Sequence, residues 1–162
     1  MMLSSPITDL VRHARRAAIS LGAIVLAAAG GPAHAAGCWF EPQGEGRVTA
    51  VIDARSFRLE DGREVRLAGI EPVGVTNASR TSALAAIIAG REVTLRGDDD
   101  TPDRYGRQPA FAFLAGSETP VQALLLAQGE ALVSPTITNK DCASILSAAE
   151  AAGREARQGL WT

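Results

Sequence analysis

The dipeptide Asp61-Gly62 separates two short runs that alternate apolar and polar residues, "SFRLED" and "EVRLAGI". An Asp-Gly pair between alternating runs is a strong signal for an antiparallel hairpin, because glycine accepts the positive φ that tight turns require. A third alternating run, "RVTAVID", precedes them, so this stretch reads as a three-stranded antiparallel meander. Spacing of two places Val48, Ala50 and Ile52 on one face of the first run. Val65, Leu67 and Gly69 share a face of the third. Gly44 to Gly46 read as a flexible entry to the meander.

After the meander the period changes. In "VTNASRTSALAAIIAG", Leu84, Ile87 and Ile88 recur at helical spacing, Ser79 or Thr81 can cap the start, and Gly90 stands where a helix stops. "REVTLRG" is a fourth strand, "DDDTPDRYGRQ" a polar loop, and "PAFAFLA" a fifth strand with Phe111 and Phe113 on one face. "PVQALLLAQGEAL" is a helix ending at Gly129, and "CASILSAAEAAGREARQGLW" is a final helix interrupted at Gly153. Five strands with about three helices define a β-rich α+β chain. The pattern suggests a small closed five-stranded barrel of the oligonucleotide- and oligosaccharide-binding type over residues 47–162.

The N-terminal segment has a different character. Arg12, Arg15 and Arg16 precede the apolar run "AAISLGAIVLAAAG", which is shorter than the roughly 20 residues of a membrane span. Ala33-His34-Ala35 then offers the small residues that a signal peptidase reads. Residues 1–35 are therefore expected to be a signal peptide and 36–46 an N-terminal arm. The chain is expected in the periplasm or outside the cell, with no transmembrane helix after cleavage. An amphipathic or buried N-terminal helix is the alternative.

Two cysteines, Cys38 and Cys142, lie near the ends of the remaining chain. An even count in an exported protein reads as a disulfide, here closing a long loop at a gain of about 4 kcal/mol in the chain-entropy model. Lipidation of Cys38 is the competing reading, because Ala35-Ala36-Gly37 before it resembles a lipobox. It would make the chain an anchored envelope protein and leave Cys142 a free thiol. Both histidines, His13 and His34, fall in the expected signal, so no histidine chemistry is expected, and two separated cysteines make no zinc site.

The formal net charge is −2, and removing residues 1–35 takes away three of 16 basic and one of 18 acidic side chains, leaving −4. Proteins that bind polyphosphate chains usually carry a basic excess, because counterion release supplies much of their affinity. On average charge this chain is not one of them.

The order of "VIDARSFRLEDGREVRLAGIEP", "DRYGRQPAFAFL", "VQALLLAQGEALV" and a terminal "GLW" resembles the thermonuclease family, whose type member is staphylococcal nuclease. The resemblance spans Arg47 to Trp161. It implies an OB-type five-stranded barrel with three helices and calcium-dependent hydrolysis of phosphodiester bonds in DNA and RNA. Residue by residue, Arg66 and Arg107 fall on the family's two phosphate-holding arginines, with Tyr105 beside them as a substrate-binding residue. Two guanidiniums can fork onto phosphate oxygens and stabilise a phosphorane.

The family's carboxylates are another matter. Its first strand ends in an Asp-Gly-Asp-Thr turn whose second aspartate binds calcium, and here the turn is Asp53-Ala54-Arg55-Ser56. Its Asp-Thr-Pro-Glu segment supplies a metal-binding aspartate and a water-ordering glutamate, and here the segment is Glu71-Pro72-Val73-Gly74. Glu71 is a degenerate metal position, and Gly74 removes the water-ordering group. Calcium takes six to eight oxygen ligands, so no metal site is assigned and no cofactor is expected. The resemblance thus implies an impaired family member that binds nucleic acid or another anion, or serves as an interaction module with a protein partner the sequence does not name.

Whether the chain is an enzyme stays open, because an active calcium-dependent nuclease is the alternative, with ligands rebuilt from Asp53 or from Asp98, Asp99 and Asp100. That acidic run otherwise reads as a solvated loop. For Arg66 and Arg107 the structural reading is pairing with Glu71 and Asp103. Arg55 is a solvated turn residue or the partner of Glu71. Trp39 and Phe40 are candidates to cap the barrel, and Trp161 to pack on a helix.

Overall fold

The computed structural model describes Cys38, Phe40 to Val73 and Asn77 to Thr162, with only the backbone described for Asn77, Ser79 and Arg80. The expected signal peptide, Trp39 and Gly74 lie outside the described residues. Seven strands, three α-helices and a terminal 3₁₀ turn follow in order: β1 (Glu41–Asp53), β2 (Ser56–Leu59), β3 (Glu64–Leu67), β4 (Ile70–Pro72), α1 (Asn77–Ile88), β5 (Glu92–Gly97), β6 (Gln108–Leu114), α2 (Val121–Ala127), β7 (Ala131–Val133), α3 (Lys140–Glu155) and Gly159–Trp161.

Five of these strands close into a barrel in the order β1-β2-β3-β6-β5, with β5 returning to β1. The β2–β3 hairpin turns at Asp61-Gly62, where Gly62 has φ +87°. A glycine is required there because an L side chain at that angle meets the backbone. The closing contact is parallel: Val65, Arg66 and Leu67 pair with Gln108, Pro109 and Ala110. A parallel pair needs a long crossover, and α1, β5 and the loop 98–107 supply it.

β1 differs from expectation in two ways. It starts at Glu41, so residues 41–46, expected as an entry arm, are strand, and they pair with β5. Its register with β2 also shifts between Val48 and Ala50. An extra residue flips every later side chain to the other face. Val48 is buried, whereas Ala50 is exposed and Ile52 is 42 % exposed. The single inward face expected for Val48, Ala50 and Ile52 is therefore broken after Val48.

Phe57, Leu59, Val65, Leu67 and Leu95 fill the barrel. β6 is buried on both faces, with Ala110 and Ala112 as covered as Phe111 and Phe113. The reason is α2, whose Gln122 is fully buried against it and donates to the Ala110 and Ala68 carbonyls at 3.0 and 3.2 Å. A two-stranded sheet of β4 and β7 stands beside the barrel.

Cys38 and Cys142 form a disulfide that spans 104 residues and ties the start of β1 to the first turn of α3. A bonded Cys38 has no thiol to carry a lipid. Next to it Phe40 stacks on Phe111 with ring centroids 4.6 Å apart. Arg154 lies 4.4 Å over the Trp161 ring, so that indole packs on α3.

Two helix readings change. α1 begins at Asn77, so Ser79 and Thr81 stand inside the helix and not before its start. α3 begins at Lys140, with the Asn139 side chain accepting the Cys142 N–H at 3.0 Å, and it runs through Gly153 without a break. Gly153 is buried because α2 crosses there. A Cβ on it would meet the Leu126 and Ala127 carbonyl oxygens at 2.6 and 2.8 Å. Alanine gains about 1 kcal/mol in helix propensity, but backbone oxygens cannot rotate away and overpacking costs roughly 1–3 kcal/mol. Gly153→Ala is expected to lower stability by up to about 2 kcal/mol in urea unfolding; a stabilised variant would show that the two helices separate without cost.

Candidate anion-binding site

The site lies where the β1–β2 turn, the end of β3, β4 and the loop before β6 meet. Asp53-Ala54-Arg55-Ser56 is a two-residue turn, with Asp53 paired to Ser56. Its backbone is fixed from both sides: the Asp53 carboxylate accepts the Arg55 N–H at 2.9 Å, and the Arg55 carbonyl accepts the Leu67 N–H at 2.7 Å. From that frame the Arg55 side chain reaches across to β4. Its Nη1 donates to Glu71 Oε2 at 2.7 Å and to the Ile70 carbonyl at 3.1 Å. The second Glu71 oxygen accepts the Ser134 hydroxyl at 3.4 Å, and Ser134 Oγ lies 2.9 Å from Thr136 Oγ1.

Arg107 is held by a different acid. Asp103 Oδ2 accepts Nε and Nη2 of Arg107 at 3.0 and 2.8 Å, while Oδ1 accepts the backbone N–H groups of Tyr105 and Arg107. Four donors on one carboxylate fold the loop into a tight cap. Burial alone would raise the Asp103 carboxyl, but these hydrogen bonds and the Arg107 charge bring it down to about 2. Tyr105 projects from the tip, 65 % exposed, with Arg104 and Arg107 at 4.8 and 5.0 Å from its ring.

Arg66 is the least compensated of the three arginines. It does not pair with Glu71, which Arg55 has taken, and its nearest acid is Asp103 at 4.0 Å. Its Nε is buried and, among the described residues, has no hydrogen-bond partner. Its pKa lies below the ordinary value, first through desolvation and then through repulsion by Arg55 and Arg107. A guanidinium stays charged at neutral pH even so.

The Arg55–Glu71 pair also divides the space. A cavity of about 160 Å³ on one side is lined by Arg66, Ser134, Thr136 and Pro109, and one of about 500 Å³ on the other by Asp53, Thr81 and Arg107. Both contain Arg55 and Glu71, so the two arginines expected to act together line separate cavities.

Calcium does not fit the described residues. It needs six to eight oxygens, and among the described residues no group of three His, Cys, Asp or Glu side chains is placed to hold a metal. Glu71 and Asp53 both already serve Arg55, whose charge would repel the ion. Asp98, Asp99 and Asp100 are exposed, and Asp99 accepts the Thr101 N–H at 2.8 Å, a local turn in a solvated loop.

Sequence reasoning did not single out Ser134, Thr136 or the dividing role of Glu71. "LVSPTIT" gave no strand signal, and the β4–β7 pairing, with Glu71 opposite Leu132, together with the Ser134 N–H donating to the Gly69 carbonyl at 2.9 Å, carries Ser134 to the site.

A five-stranded barrel closed by a parallel β3–β6 contact, with arginines on the closing strand and the loop before its partner, defines an OB-type nuclease-like domain. The family model for the staphylococcal nuclease homologue matches residues 76–162, and the chain belongs to that family. No curated protein matches the chain. The matched region contains Arg107 and Tyr105; Arg55, Arg66 and Glu71 precede it.

The Asp103 cap has a pH signature. A carboxyl lowered from 3.8 to about 2 stabilises the fold at any pH above its unfolded value, and that contribution disappears as pH falls from about 4 through 2. Urea midpoints of the parent and Asp103→Asn are therefore expected to differ at pH 6 and converge near pH 2. A gap that stays constant with pH would mean that the carboxylate charge is not what matters.

Proposed function

We propose that this is an exported thermonuclease-like domain in which phosphodiester hydrolysis is impaired and an arginine-lined groove binds an anion. The single observation that carries the reading is the guanidinium of Arg55 lying 2.7 Å from Glu71. A tethered cation there neutralises the carboxylate that a metal would need, yet it cannot exchange ligands or activate water as a bound ion does. The groove keeps cationic donors: the guanidinium of Arg66, 33 % exposed and 4.0 Å from Asp103, suits a phosphate oxygen. Export is supported by the basic, apolar, small-residue order of residues 12–35 and by the disulfide, which persists in oxidising compartments.

Loss of a water-positioning group typically costs 10²–10⁴ in rate, so calcium titrated against the purified chain is expected to produce no cleavage of single-stranded DNA above background. Calcium-dependent turnover abolished by Arg107→Ala would sink the reading. The double variant Arg55→Asp with Gly74→Glu should gain calcium-dependent cleavage, because it returns two carboxylates to the positions that the family uses. Failure of that variant to bind calcium would show that the remaining frame cannot support the ion.

A further inference from the structure

We propose that the anion receptor of this domain is Arg55 with Arg66, not Arg66 with Arg107, and that it takes a terminal phosphate, free or as the phosphomonoester end of a chain. This rests on the anion-binding reading above and assigns its second arginine and its ligand class.

Geometry separates the two pairings. Arg55 and Arg66 face one cavity together with the hydroxyls of Ser134 and Thr136, whereas Arg107 lines the neighbouring cavity beyond the Arg55–Glu71 pair. Arg107 has two nitrogens bound to Asp103. Arg55 commits Nη1 alone, and among the described residues its Nε and Nη2 take no hydrogen bond. The Arg66 side chain is 33 % exposed and the acid its Nη1 meets, Asp103, is 4.0 Å away. Its terminal nitrogens, and not the buried Nε, are the donors that an oxyanion oxygen can reach.

Size points to the ligand class. A cavity of about 160 Å³ is close to the roughly 150 Å³ that accommodates a benzene ring, so it suits a group of the size of phosphate. Its walls include Ala68, Gly69, Ile70 and Pro109. An internal phosphodiester would have to lead two ester arms out of that space, while a terminal phosphate leads out one. Glu71 is the internal competitor: its carboxylate holds the Arg55 nitrogen and the Ser134 hydroxyl that a phosphate would use.

Calorimetric titration of the purified chain with inorganic phosphate, and with one short oligonucleotide carrying or lacking a 5′-phosphate, tests this. Phosphate and the phosphorylated oligonucleotide are expected to bind, and the unphosphorylated one at least tenfold more weakly. Arg66→Met and Arg55→Met should each weaken phosphate binding about tenfold or more, the scale of one charge-assisted hydrogen bond. Arg107→Met should weaken it less than Arg55→Met. Glu71→Gln should tighten it several-fold, and that variant decides the matter if removal of Arg55 unfolds the chain.

A larger effect of Arg107→Met than of Arg55→Met, or no gain from Glu71→Gln, overturns the Arg55 assignment. Equal binding of the two oligonucleotides, still dependent on Arg66, overturns the terminal-phosphate ligand and leaves the anion-binding reading standing. No binding of phosphate or of either oligonucleotide removes both.

Discussion

The parallel contact between β3 and β6 is the constraint on which the rest depends. It closes the barrel, and its register sets Arg66 beside Pro109, two residues after Arg107. A shift of one residue along that seam would turn Arg66 toward the core and Leu67 outward. The seam is held by more than its ladder. Gln122, reaching from α2, donates to the Ala68 and Ala110 carbonyls, and its amide oxygen lies 3.4 Å from the Ala112 N–H. With all three amide positions engaged and no exposed surface, the side chain belongs to the seam as much as to the helix.

The pair built over this seam shows how a turn and a strand end are held together from within. Glu71 projects from β4, and the Asp53–Ser56 turn delivers Arg55 to it from a backbone fixed at both its N–H and its carbonyl. As an isolated surface pair, Arg55–Glu71 contributes on the order of 1 kcal/mol or less. Its importance is therefore geometric. The guanidinium satisfies the carboxylate and the Ile70 carbonyl together, so β4 and the turn stay in place without an ion.

Much of the fold was legible because its signals are local. Asp61-Gly62 turns where an Asp-Gly pair should, Gly90 and Gly129 end α1 and α2 at positive φ, and Val65 and Leu67 share the inward face. The misses arose where distant parts of the chain decide. The β1 bulge is invisible in "RVTAVID", because alternation continues through it and only the register with β2 shifts. Gly153 looked like a helix breaker until α2 supplied the carbonyls it makes room for. At the site, Arg66, Arg107 and Glu71 stood out as residue types at meaningful positions, but their partners did not. Which acid takes which arginine depends on the Asp103 loop folding back on Arg107 and on β7 bringing Ser134 to Glu71.

The pairing pattern bears on how such a groove can select a ligand. Glu71 and Asp103 pair closely with Arg55 and Arg107 and leave Arg66 as the least compensated charge of the site, in a chain whose overall balance is negative. Long-range attraction of a polyanion needs a broad basic surface, and one such arginine does not provide it. Recognition by this groove would then rest on short-range contacts inside a small cavity, where hydrogen-bond geometry counts for more than the number of phosphates nearby. That is the opposite balance from a protein that grips a polynucleotide along its length. It follows from the same two acids that hold the arginines in place: the more firmly Glu71 and Asp103 order the site, the less charge remains to reach beyond it.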